Sequence, residues 1–234
     1  MKVTVLAISL FAASVAGHAT FQELWVDGKD EASTCARLPA NNNPVTDVSS
    51  TDMRCNKGSS AAKSTCSVEA GGTVTVEMHQ QPNQRDCSNE ALGGNHFGPV
   101  MVYMSKVDSA SSADGSSSWF KIFEDGYDAS TKTWGNDKLN KGCGKQQVTV
   151  PSDIAPGDYL LRAETIALHT ASQANGAQFY MTCYQIKVTG GGSANPTGVK
   201  FPGAYSATDP GIKIDIWGNS FKSYTIPGPP VYES

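Results

Sequence analysis

The chain holds four histidines, His18, His79, His96 and His169, and the setting of the first decides what the others can do. Residues 1–17 read as a secretory signal. Lys2 supplies the positive charge, residues 3–11 a short apolar run, and Ser14-Val15-Ala16-Gly17 the small side chains a signal peptidase accepts. The apolar run is too short to span a bilayer. Cleavage after Gly17 makes His18 the first residue of the mature chain. A histidine at a free N-terminus offers two nitrogens from one residue, its α-amine and a ring nitrogen. The amine titrates near ~8, so a metal displaces its proton at modest cost near neutrality. Nitrogen donors in a planar array favour copper(II), which tops the divalent affinity series. A third nitrogen must come from His79, His96 or His169, and a tyrosine can take the axis.

A second group of chemically capable side chains is carried by two strands and the loop between them. Residues 158–165 follow the turn signal Ala155-Pro156-Gly157 and alternate as a strand does; residues 178–188 form the next. The polar loop joining them carries His169. Side chains repeat every second residue along a strand, so Gln178 and Tyr180 share one face and Cys183 lies on the other. An amide and a phenol side by side are unusual in a plain core strand. His96 stands immediately before residues 98–104, GPVMVYM, a near-continuous apolar strand buried on both faces. A rigid element at a strand mouth suits a metal ligand, which favours His96 as the distant nitrogen. His79 ends the alternating strand 73–79, in which Val74, Val76 and Met78 face opposite to Thr75, Glu77 and His79.

Residues 19–26, 119–123, 147–150 and 212–216 complete the strands, with no heptads, repeats or long amphipathic helices. Many short strands separated by turn signals predict an all-β, immunoglobulin- or fibronectin-like β-sandwich. Its loops are longer than a sandwich needs, which points to function. Removal of the signal leaves 217 residues, enough for one sizeable core, and the loss of Lys2 takes the formal net charge from −4 to −5. That balance argues against nucleic acid or an anionic membrane as partner. No later segment is long and apolar enough to span a membrane, so the expectation is a secreted, extracellular monomer. Six cysteines behind a signal imply three disulfides, with fifteen possible pairings, and none has the spacing of a zinc site. Residues 18–234 are expected to form one catalytic domain with no appended carbohydrate-binding module.

The start HATFQELWVDG, the segments ANNNPVTDV and HFGPVMVYM, the pair LLRAETIALH and GAQFYMTC, and the end FPGAYSATDPGI…YTIPGPPVY together resemble fungal lytic polysaccharide monooxygenases of auxiliary activity family nine. The resemblance covers essentially the whole mature chain. It implies that His18 binds copper through amine and ring, that His96 is the second histidine ligand, and that Tyr180 is axial. It implies that His169 and Gln178 place and protonate oxygen species, acting from just outside the ligand set. Tyr224 matches the family's C-terminal aromatic on a flat substrate face, and Cys55 and Cys183 match its common disulfide. Cys35 with Cys66 and Cys87 with Cys143 are further expected pairings, and His79 lies by the family's most variable region, a position open to contact with substrate. The activity implied is oxidative cleavage of cellulose or a related β-glucan at carbon 1 or carbon 4. The co-substrate would be O2 or hydrogen peroxide, and an external electron donor would reduce one copper per chain.

Two rivals remain. A glycoside hydrolase needs two carboxylates flanking the bond; Glu124, Asp125, Asp158 and Glu164 are present, but no pair is singled out by its setting. A non-catalytic cellulose- or copper-binding sandwich would have no need of His169, Gln178 and Tyr180 together.

Overall fold

The computed structural model describes residues 17–234; the signal reading falls almost entirely on residues 1–16, outside the described residues. Twelve strands follow in order: β1 (Thr20–Val26), β2 (Lys29–Asp30), β3 (Ala36–Arg37), β4 (Cys66–Glu69), β5 (Thr73–His79), β6 (Val100–Val107), β7 (Phe120–Asp125), β8 (Tyr127–Asp128), β9 (Thr133–Trp134), β10 (Lys145–Thr149), β11 (Gly157–Ala167) and β12 (Gln178–Thr189). One short helix, α1 (Gly135–Lys141), starts where the Asp137 carboxylate accepts from the Trp134 amide. The smaller sheet has the order β10-β5-β1-β2; the larger has β3-β12-β11-β6-β7, with β4 parallel to β12. These two sheets make the expected β-sandwich, and β8 pairs with β9 in a separate two-stranded ribbon.

Period-two alternation explains how each strand is used. Val74, Val76 and Met78 of β5 meet Val100, Val102 and Met104 of β6, and Leu161, Ala163, Tyr180 and Tyr184 of β11 and β12, in the core between the sheets. Met101, Tyr103, Leu160, Phe179, Met181 and Cys183 face the other way, into a second core. The chain beyond β12 covers that core with Phe201, Tyr205 and Ile212. The larger sheet is therefore buried on both faces, which is why β6 is almost uniformly apolar. The second core also encloses an ion pair: both terminal nitrogens of Arg162 donate to Glu164 at 2.8 Å, and Tyr205 donates to the same carboxylate at 2.6 Å. A pair so fully bonded ties the covering segment to the sheet.

Residues 212–216 are not a strand. The amides of Ile212 and Lys213 both donate to the Asp209 carbonyl, closing a turn, and Ile214 donates to Ala171. The isoleucines alternate because they pack on the second core from outside, not because they pair in a ladder.

Disulfides join Cys35 to Cys66, Cys55 to Cys183 and Cys87 to Cys143. The Cys55–Cys183 bridge closes a separation of 128 residues and ties the loop after β3 to the centre of β12. Replacing both cysteines with alanine is expected to cost about 2–5 kcal/mol, mainly by freeing the unfolded chain. Equilibrium denaturation checks this, and an unchanged midpoint would refute it.

Candidate functional site

Tyr180, the third residue of β12, faces the core between the sheets and is 1% exposed. Its hydroxyl lies at the end of the sandwich where three loops converge. The first is the chain entering β1. His18 sits there, its ring centroid 6.2 Å from that of Tyr180. A Cβ on Gly17 would collide with Cε1 of His96 and crowd its Nε2, so the backbone nitrogen of His18 lies close to that edge of the His96 ring. The second loop leads into β6. His96 is also 6.2 Å from Tyr180, centroid to centroid, in edge geometry. The third joins β11 to β12 and brings His169 to 4.3 Å from His96.

Local sequence fixes each of these. Gly98 is two residues past His96, and a side chain there would run into the Ile166 carbonyl of β11, so glycine lets the loop lie against the sheet. The carbonyl of Phe97 accepts from Leu168, and that of His96 accepts from the Asn136 side chain at the start of α1. The Asn42 amide reaches the His18 carbonyl at 3.5 Å and that of Gln80 at 2.8 Å, bridging the first loop to the one after β5.

The protonation states follow from the hydrogen bonds. Nδ1 of His96 stands 2.7 Å from the Gly93 carbonyl. A carbonyl only accepts, so Nδ1 carries the proton and Nε2 keeps its lone pair. Burial, then the neighbouring His169 and His18, push the His96 pKa down to about 4, so the ring is a neutral donor at ordinary pH. Burial and then His18 lower His169 too. Its Nδ1 is buried with no hydrogen-bond partner, a cost that calls for one to be supplied. The Tyr180 hydroxyl donates to Oε1 of Gln178 at 2.8 Å, and burial raises the phenol's pKa. With its oxygen so engaged, Gln178 has its amide nitrogen left to offer a ligand.

Among the described residues no three of His, Cys, Asp and Glu come together to hold a metal by side chains alone. Two imidazoles and a phenol do converge, beside the nitrogen that begins His18. A metal here needs that nitrogen as a free amine. A family profile described as Auxiliary Activity family 9 (formerly GH61) matches residues 18–224, beginning at His18 itself. The chain belongs to Auxiliary Activity family 9. The AA9 family lytic polysaccharide monooxygenase E of Malbranchea cinnamomea is 59% identical, over 100% of this chain and 93% of that protein. The AA9 family lytic polysaccharide monooxygenase B of Thermothelomyces thermophilus is also 59% identical, over 98% of this chain and 73% of that one. Among solved structures, CvAA9A superposes with a TM-score of 0.84 at 35% identity, covering 92% of this chain and 98% of its own. A cellulose-active polysaccharide monooxygenase from M. thermophila gives 0.78 at 34%, covering 92% and 99%. Auxiliary Activity family 9 is a copper-dependent oxidoreductase family that uses O2 or hydrogen peroxide and acts on polysaccharides such as cellulose.

Two further side chains that the sequence singles out are each held by a hydrogen bond. Tyr224 is half-buried. Its hydroxyl donates to the Gly211 carbonyl at 2.6 Å, its ring packs edge-on to Trp134 at 5.0 Å, and burial raises its pKa well above the usual value. It braces the C-terminal segment. His79 is only 3% exposed and bonds Glu77 at 2.7 Å. Burial alone would raise the Glu77 pKa, but hydrogen bonds from His79, Arg85 and Trp25 hold it at about 2. His79 thus faces away from the site, in a network on the outer side of the smaller sheet. Trp217 is the exposed aromatic that sequence reading missed. It is 55% exposed, and its indole nitrogen donates to the His169 carbonyl at 2.9 Å. A tryptophan in the turn sequence Asp215-Ile216-Trp217-Gly218-Asn219, where no core can hold it, was the available signal.

Proposed function

We propose that this chain is a secreted, monomeric copper-dependent lytic polysaccharide monooxygenase that cleaves β-1,4-glucan chains of cellulose at carbon 1 or carbon 4. The convergence of His18, His96 and Tyr180, with the unpartnered Nδ1 of His169 beside them, carries this reading. The donor set fits copper: neutral imidazoles and an amine are its preferred ligands. His18 would hold the copper through its ring and, once Gly17 is removed, its amine, and His96 through Nε2, with the Tyr180 hydroxyl beside them. Copper, reduced by an external donor, supplies the one-electron chemistry that makes O2 or hydrogen peroxide reactive towards a sugar C–H bond.

The protein's own groups do the rest. The Gly93 carbonyl fixes the His96 tautomer so that Nε2 faces the metal position. His169, neutral and without a partner, can give or take a proton there. Gln178, its oxygen held by Tyr180, has its amide N–H groups free to donate to a ligand bound there. Trp217 offers an exposed face on which a glucose ring can stack. The name "cellulose-active" carried by the M. thermophila structure supports cellulose as substrate. A hydrolase finds no support at this site: three imidazoles, an amide and a phenol converge, with no flanking carboxylate pair among the described residues.

The test is product analysis. Copper-loaded protein with cellulose and ascorbate should release oxidised cello-oligosaccharides. Omitting ascorbate, or stripping the metal with a chelator, should abolish release. Equal release of unoxidised sugars without reductant would establish a hydrolase, and none under any condition a binding protein.

A further inference from the structure

Trp217 is set by the sequence around it. The Asp215 carboxylate accepts from the Trp217 amide at 3.0 Å, the local turn that an aspartate makes with the residue two further on. The turn leaves the indole 55% exposed. Two contacts hold the ring, and both lead to the site. It packs edge-on against Phe97, the neighbour of His96, with centroids 5.8 Å apart. Its nitrogen donates to the His169 carbonyl at 2.9 Å, and no other bond to that carbonyl is present among the described residues. A platform for a sugar needs only the open face of the ring. The bond from its nitrogen does something else.

The ring of His169 depends on its backbone for its place. Its Nδ1 is buried without a hydrogen-bond partner, so the ring rests on His96, 4.3 Å away centroid to centroid, and on the turn that carries it. That turn is anchored on either side. The Leu168 amide donates to the Phe97 carbonyl, and the Ala171 carbonyl accepts from Ile214. His169 lies between these anchors, and the indole ties the peptide that leaves it. Without that tie the carbonyl can turn towards water, and the ring swings with it. Water competes for a bond so exposed. A sugar stacked on the indole displaces that water, and a hydrogen bond in drier surroundings is stronger.

We propose that Trp217 is a positioning residue for His169: its indole N–H holds the His169 backbone, and a glucan covering the indole tightens the hold. The proton-moving ring is then placed most firmly when substrate lies on the surface. This rests on the monooxygenase reading above, which gives His169 its role and the indole its sugar.

Two variants separate placing from stacking. Trp217→Phe keeps an aromatic face but has no N–H; Trp217→Ala removes both. The side chain is exposed, so both fold. The first measurement needs no metal. Crystal structures of the metal-free parent and Trp217→Phe, each beginning at His18, should show the His169 ring displaced from His96 by more than about 0.5 Å, the tolerance within which a working geometry is held. In the metal-free parent, excess cellohexaose should slow solvent exchange of the Trp217 indole proton at least about threefold. The second measurement divides rate from affinity. Trp217→Phe should adsorb to cellulose within about twofold of the parent, yet release oxidised product at about a tenth of its rate per bound enzyme, because a misplaced group costs rate rather than binding. Trp217→Ala should lose at least about fivefold in adsorption as well. An unmoved His169 ring in Trp217→Phe, or a rate per bound enzyme equal to the parent's, overturns the proposal and leaves Trp217 a platform alone. Unslowed exchange overturns the link to substrate. A parent that releases no oxidised product under any condition sinks the monooxygenase reading instead, and the metal-free structures still decide whether the indole places His169.

Discussion

His96→Ala is expected to weaken copper(II) binding by more than about 100-fold, a loss of roughly 3 kcal/mol or more, while the protein stays folded. Three nitrogens define the proposed site, and this substitution removes one outright. The remaining pair, both from His18, forms a chelate that many short peptides could match. The fold should survive because His96 lies in a loop and is only partly buried, and the Gly98 contact and the Leu168–Phe97 backbone bond that hold this loop are untouched. His79→Ala is the control. That imidazole is buried against Glu77 on the outer face of the smaller sheet, so its loss should lower stability and leave copper affinity as it was. Calorimetric titration of both variants, processed to begin at His18, settles the point. Unchanged affinity in His96→Ala, or a large loss in His79→Ala, would show the ligand set to be wrong.

The parts of this fold legible in the sequence are those governed by local periodicity. Period-two alternation placed Gln178 and Tyr180 on one face of β12 and Cys183 on the other, and the structure puts Tyr180 and Cys183 in opposite cores. The unbroken apolar run of β6 announced a strand buried twice over. Where periodicity arises from something other than a ladder, the reading failed. Residues 212–216 alternate because one side packs on the second core, and nothing local separates that from a half-buried strand. Trp217 went unread for a related reason, although Tyr224 was singled out. Both are aromatic residues in the polar C-terminal segment, and which of them faces solvent is decided by Gly211 and Trp134, distant partners that composition does not reveal. The dependence of His96 on Gly98 and Asn136 was equally hidden, since each contact joins residues brought close only by the sandwich.

Gln178→Ala is expected to bind copper normally and yet lower the release of oxidised cello-oligosaccharides by about 10²-fold, the lower end for a lost hydrogen bond where charge develops. The geometry separates these two effects. Gln178 adds nothing to the nitrogen set, so affinity and most of the copper(II) paramagnetic resonance spectrum should stand. What goes is the amide N–H proposed to meet the oxygen species, together with the acceptor for the Tyr180 hydroxyl. Tyr180→Phe is the complementary variant. It keeps a buried ring, and therefore the fold, but removes the hydroxyl that would stand beside the copper, so the spectrum itself should shift. Reading the two together excludes a trivial account of either. If Gln178 acted only by holding Tyr180, Gln178→Ala and Tyr180→Phe would alter the spectrum alike. If it acts on the oxygen species, turnover falls in Gln178→Ala while the spectrum stays close to that of the parent. A turnover in Gln178→Ala equal to the parent's, at matched reductant and peroxide, would remove the amide from the reaction. Tyr180 would then stand beside the copper with no partner in catalysis, and His169, through its unpaired Nδ1, would be the one side chain left to move a proton at this site.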